Sequence, residues 1–95
     1  MADTDHPVDL CSAVLTEHAS KQMADRQVTQ SHVRNVLRTP EQVLDVRAGR
    51  VLAQSIRRFG GKDYLLRVFV DVDRRPPEVV TVYRTSKIDK YRSRP

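Results

Sequence analysis

The hydrophobic period of this chain changes once, at Pro40, and that switch restricts the folds open to it. Before Pro40, apolar residues recur at helical spacing; after it they alternate along extended segments. The segment after Thr29 carries the clearest helical signature. Thr29 is placed to cap it, Val28 and Val33 can close a hydrophobic staple, and Val33, Val36 and Leu37 form an i, i+3, i+4 stripe. Pro40 ends the helix, because the residue before a proline is pushed out of the α region. An earlier helix is expected from the cap Thr16 to roughly Arg26, with Glu17 in its first turn and Ala19 and Met23 on its core face. The short apolar run Cys11–Leu15 fits either an edge strand or a helical turn, and periodicity does not choose between them.

Beyond Pro40 the turn residues set the strand boundaries. Gln42–Arg47 and Arg50–Phe59 flank Ala48-Gly49, a hairpin signal, and Gly60-Gly61 turns the chain into Lys62–Asp73. In that segment Tyr64, Leu66, Val68, Val70 and Val72 share one face, while Leu65, Arg67, Phe69 and Asp71 share the other. Both faces are partly apolar, as expected of a central strand. Arg74-Arg75-Pro76-Pro77 breaks it, and Glu78–Arg84 returns as the last strand, followed by a closing helical turn within Ser86–Tyr91. The expectation is an α+β fold with two N-terminal helices on one face of a four-stranded, mostly antiparallel sheet. The opposite face is left available. Residues 1–10 read as a flexible extension and residues 11–92 as a single domain.

A chain of 95 residues can bury one modest core and enclose no large cleft, so any site is a shallow face or groove. A single cysteine, Cys11, excludes an internal disulfide and fits a reducing compartment. The opening MADTDHPVDL lacks the basic start and apolar run of a signal peptide, and no segment has the length of a membrane span. The expected location is cytoplasmic, with no membrane partner. Charge is unevenly distributed. Residues 1–46 carry a balance of −3 and residues 47–95 one of +8. A basic half laid out on a sheet favours polyanions or an acidic protein, although a solvated arginine-rich surface has the same composition. Three tyrosines and two phenylalanines are a thin supply for a base-stacking platform.

Four residues stand out as candidates for chemistry. His18 falls in the first turn of the first helix, where a neutral imidazole can serve as a general base, or simply sit at the boundary of the cap. Arg67 is a lone cation amid an apolar strand. It either pairs with a carboxylate, Asp71 on the same face being one option, or opens onto an anion that its planar fork can grip. Tyr83 and Thr85 share a strand face with Thr81, forming a polar groove or an ordinary β-rich surface. The tail RTSKIDKYR adds Arg84, Lys87, Lys90 and Arg92. His6 and His32 do not combine with His18 at metal-ligand spacing, and Cys11 has no evident activator. No metal and no cofactor are therefore expected.

The segments TEHASKQMADRQVT, VRNVLRTPEQVLDVRAGRV, GGKDYLLRVFVD and VVTVYRTSKIDKY, in this order across residues 14–91, resemble bacterial proteins grouped as domain of unknown function 4258. That resemblance implies a RelE-like or barnase-like α+β fold, a broad group that includes small ribonuclease toxins of toxin–antitoxin pairs. It would make the chain a metal-independent endoribonuclease acting on RNA, ribosome-bound mRNA being one option, and held in check by a cognate antitoxin. His18 matches the family's helix-opening histidine and Arg26 its helix-closing arginine. In that scheme His18 is base or acid, Arg67 binds phosphate, and Tyr83 or Thr85 positions it. Arg26, Arg50 and Lys87 add positive charge, or Arg26 covers the core with its stem. The competing expectations are a non-catalytic basic module that docks RNA or an acidic protein through the same face, and a scaffold with no nucleic-acid role.

Overall fold

The computed structural model describes residues 9–92, so most of the N-terminal extension, His6 included, lies outside the described residues. Among the described residues a 3₁₀ turn, Leu10–Ser12, comes first and is followed by β1 (Val14–Leu15), α1 (Glu17–Asp25) and α2 (Gln30–Arg38). Then come β2 (Gln42–Arg47), β3 (Arg50–Phe59), β4 (Lys62–Asp71), β5 (Glu78–Thr85) and α3 (Ile88–Tyr91). The run Cys11–Leu15 is thus both a turn and a strand, and Leu10 of the expected extension is buried in the core.

The helix ends follow their cap chemistry. Thr16 Oγ1 accepts the Ala19 amide at 3.1 Å and donates to the Val79 carbonyl at 2.9 Å, so one hydroxyl both caps α1 and ties it to β5. At the other end Gln27 adopts φ 58°, and Val28 N–H reaches back to the Met23 carbonyl, closing the helix as a Schellman motif. Thr29 caps α2, and His32 completes the box by accepting the Thr29 amide on Nδ1 at 3.0 Å. Val28 and Val33 are both buried, as the staple requires.

The sheet departs from the expected four-stranded, mostly antiparallel arrangement in its number of strands and in one parallel pairing. It has five, ordered β1-β5-β4-β3-β2, and it is mixed, because β1 runs parallel to β5. Two residues are too short for any periodic signal, and their partners, Glu78 and Val79, are distant in sequence. The three remaining pairings are antiparallel; β3 and β4 match without a break from Arg50↔Asp71 to Phe59↔Lys62. Gly49, at φ 81°, turns β2 into β3. A Cβ there would lie 2.6 Å from Asp73 Oδ2, so the site accepts only glycine without displacing that carboxylate.

α1 and α2 pack on one face. Ala19, Met23, Val33, Val36 and Leu37 meet Val51, Ala53, Leu66, Val68, Val70, Val79 and Val82, all of them buried. Burial of this kind contributes about 1.5–3 kcal/mol per large aliphatic side chain and holds the sheet rigid. The opposite face of β4 carries Leu65, Arg67, Phe69 and Asp71. It is not bare, since α3 folds back across it and lays Tyr91 over Arg67. No helix among the described residues is long and apolar enough to cross a membrane.

Candidate functional site

Strand register places one row of polar side chains straight across the face away from α1 and α2. Gln42 pairs with Gln54, Gln54 with Arg67, and Arg67 with Tyr83, spanning β2, β3, β4 and β5. These neighbours are hydrogen-bonded in series. Gln54 Nε2 donates to Gln42 Oε1 at 2.8 Å, and Arg67 Nε donates to Gln54 Oε1 at 3.0 Å. Arg67 Nη1 donates to the Tyr83 hydroxyl. A guanidinium has only donors, so Gln54 must turn its oxygen toward Arg67 and its amide nitrogen toward Gln42, which fixes the direction of the chain.

Aromatic rings surround the cation. The Tyr91 ring centroid lies 4.7 Å from Arg67 Cζ, and those of Phe69 and Tyr83 lie 5.5 Å away. Phe69 and Tyr83 stack at 6.2 Å with an interplanar angle of 18°. Three of the five aromatic residues thus gather around one arginine, a concentration that composition alone does not reveal. Such contacts are worth about 0.5–1 kcal/mol each where partly exposed. They also leave the charge intact, because a ring does not neutralise a cation.

The choice left open for Arg67 is decided against Asp71. That carboxylate instead takes Arg50 in a two-point grip, Nε to Oδ1 at 2.6 Å and Nη2 to Oδ2 at 3.2 Å. The Arg50 hydrogen bond and charge hold the Asp71 carboxyl below its ordinary range, against the opposing effect of burial. Among the described residues Arg67 takes part in no ion pair, and its Nη2 donates to no protein acceptor. A half-buried guanidinium with neutral partners and a free end can receive an oxyanion.

The other candidates are distributed around this row. Arg26 lies 5.8 Å from the Tyr83 ring centroid, and its Nη1 donates to the Val82 carbonyl at 3.3 Å. Gln22, one turn earlier, accepts the Val82 amide at 2.9 Å. His18, Gln22 and Arg26 share one helical stripe, so His18 continues the line that runs along the edge of β5. Its side chain is exposed and makes no hydrogen bond or ion pair among the described residues. Thr85 Oγ1 accepts the Lys87 amide at 3.1 Å and leads the chain into α3, while Lys87 itself is exposed. Arg84 points to the opposite face, where it covers Phe59 and Tyr64 at 4.5 and 4.6 Å. The structure therefore brings together Arg67, Tyr83 and Arg26. Arg50 sits apart in its ion pair, and His18, Thr85 and Lys87 lie outside the row. It adds Gln54, Phe69 and Tyr91, of which Gln54 had a usable signal as a lone amide within the apolar run of β3. No group of three His, Cys, Asp or Glu side chains that could hold a metal occurs among the described residues.

The family model described as "Domain of unknown function (DUF4258)" matches residues 15–84, from β1 through nearly all of β5, and the chain belongs to that family. No curated protein and no solved structure matches it.

Proposed function

We propose that this DUF4258 protein binds RNA on the face centred on Arg67 and cleaves it as a metal-independent endoribonuclease, the toxin of a toxin–antitoxin pair. The observation that carries the reading is an arginine fixed at the centre of the sheet by neutral partners, its charge uncompensated and one end free among the described residues. In this reading Arg67 receives the scissile phosphate and stabilises the charge that builds as the neighbouring ribose 2′-hydroxyl attacks it. Tyr83 accepts a hydrogen bond from Arg67, which leaves its own O–H to be donated toward the departing 5′-oxygen. His18, on the stripe that ends in Arg26, takes the proton of the 2′-hydroxyl. The need for that hydroxyl selects RNA over DNA. An acidic antitoxin would cover the same basic face.

A second reading, a binding module without turnover, is favoured by one observation: His18 makes no contact with the Arg67 row. Labelled RNA incubated with the protein in EDTA separates the two, with His18→Ala, Arg67→Ala and Tyr83→Phe assayed in parallel. Cleavage by the wild type that is lost in His18→Ala and Arg67→Ala, with affinity kept in the first, supports the nuclease. RNA bound but intact throughout leaves the binding module. RNA neither bound nor cut by the folded protein removes both.

A further inference from the structure

Gln54 lies in the middle of β3 with no solvent exposure at all. An amide buried there is destabilising unless its hydrogen bonds are remade inside the protein. They are remade by three partners: Gln42 Oε1, the Tyr91 carbonyl at 3.5 Å, and Arg67 Nε. On the same face, Leu52 and Leu65 are buried at 3% and 1% exposure, so an aliphatic side chain would fill such a position without any polar requirement. Packing does not call for a glutamine here; the Nε–H of Arg67 does.

The kind of acceptor is as informative as its presence. Farther along the same face, Arg50 is met by the carboxylate of Asp71 and its charge is cancelled. A glutamate at position 54 would do the same to Arg67 at almost unchanged volume. The amide instead takes up one N–H and leaves the charge whole. Its own orientation is fixed from behind by Gln42 and by the backbone of Tyr91. We propose that Gln54 is a positioning residue. As a neutral acceptor it locks Arg67 so that the free Nη2 end presents its full charge to a single phosphate of the bound RNA. This rests on the reading that Arg67 contacts phosphate.

The test uses the full chain and a labelled single-stranded RNA whose affinity is followed by anisotropy across a salt series, with thermal melting as the fold control. Gln54→Glu is expected to stay folded, held by its new ion pair with Arg67, although its oxygen then meets the Tyr91 carbonyl where the amide donated. It should still lose about tenfold in affinity, as Arg67→Ala does, and the slope of log K against log salt should fall by about one phosphate contact. Adding Gln54→Leu to Arg67→Ala should cost no further affinity, because Gln54 acts only through Arg67. Gln54→Leu, which leaves the charge but frees the side chain, should lose a smaller factor, about threefold, with the slope unchanged. Wild-type affinity and slope in Gln54→Glu, with Arg67→Ala impaired, would make Gln54 merely structural. If Gln54→Glu does not fold, wild-type affinity in folded Gln54→Leu overturns the proposal and a loss sustains it. Wild-type affinity in Arg67→Ala removes the phosphate reading itself, and the proposal with it.

Discussion

Two arginines stand on the same face of this sheet and are treated in opposite ways. Arg50, near one end, meets a carboxylate directly across the strand pair and is gripped at two points. Arg67, at the centre, meets an amide oxygen, a hydroxyl and three rings. An ion pair of the first kind fixes strand register and contributes stability, and it presents little net field to a ligand. A cation of the second kind contributes less stability and keeps its charge for something outside the protein. The difference lies in the neighbours, not in the residue type.

Exchanging those roles is the severest test of the contrast. Asp71→Asn keeps the shape of the side chain and releases Arg50. Both partners are mostly buried, so the loss is expected at about 2 kcal/mol, or roughly 10 °C in Tm for a domain of this size. If the face attracts polyanions, the freed Arg50 should also raise RNA affinity about twofold. A fall in affinity, measured where the variant is folded, would break the contrast. Arg67→Ala should behave in the converse manner, losing about tenfold in RNA affinity for only about 1 kcal/mol of stability. A melting loss as large as that of Asp71→Asn, with RNA binding intact, would make Arg67 structural.

The two arginines should also differ in how pH affects them. The folded-state pKa of Asp71 lies below its ordinary value of 3.8. Its contribution is therefore fully present above the pKa of the unfolded chain and is lost as pH falls through the folded value, where the unfolded chain takes up the proton first. Wild type and Asp71→Asn should differ most in stability at pH 5–7 and converge below roughly pH 4. Urea midpoints at both ends of that range measure it. A gap that stays constant down to pH 3 would show that the carboxylate charge is not what stabilises the pair. Arg67, which faces no carboxylate among the described residues, should add nothing to this acid limb.

Much of this arrangement was legible in the sequence, and the parts that were not have identifiable physical reasons. The cap Thr29, the staple Val28–Val33 and the hairpin glycines are local signals, and local geometry obeyed them. The edge strand allowed for within Cys11–Leu15 could not be chosen over a helical turn, because a two-residue strand has no period and its partners, Glu78 and Val79, are distant in sequence. The suggested Arg67–Asp71 pair failed on distance: same-face residues four apart on a strand are separated by about 13 Å. The carboxylate went instead to its cross-strand neighbour, which only register reveals. Arg67 was visible as a lone cation in an apolar strand. The same reasoning applied to Gln54 in RVLAQSIRRF would have shown that it needs a partner, since a buried amide must be paired. The gathering of Phe69, Tyr83 and Tyr91 could not be read, because it depends on how α3 folds back over β4.

That returning turn is the subject of the smallest expected effect. α3 has four residues and no side-chain cap, and it lies beyond the residues that match the family model. It touches the Arg67 row at two points, the Tyr91 ring and the Tyr91 carbonyl. Tyr91→Ala removes the ring and keeps the carbonyl, so Gln54 remains oriented while Arg67 loses one cation–π contact. Stability should fall by about 0.5 kcal/mol, a Tm change of roughly 3 °C. With the ring gone, the free end of Arg67 is more open to a phosphate, and RNA affinity should rise about twofold. If affinity falls instead, the ring is a surface on which the RNA stacks, and the free face reads bases as well as phosphates.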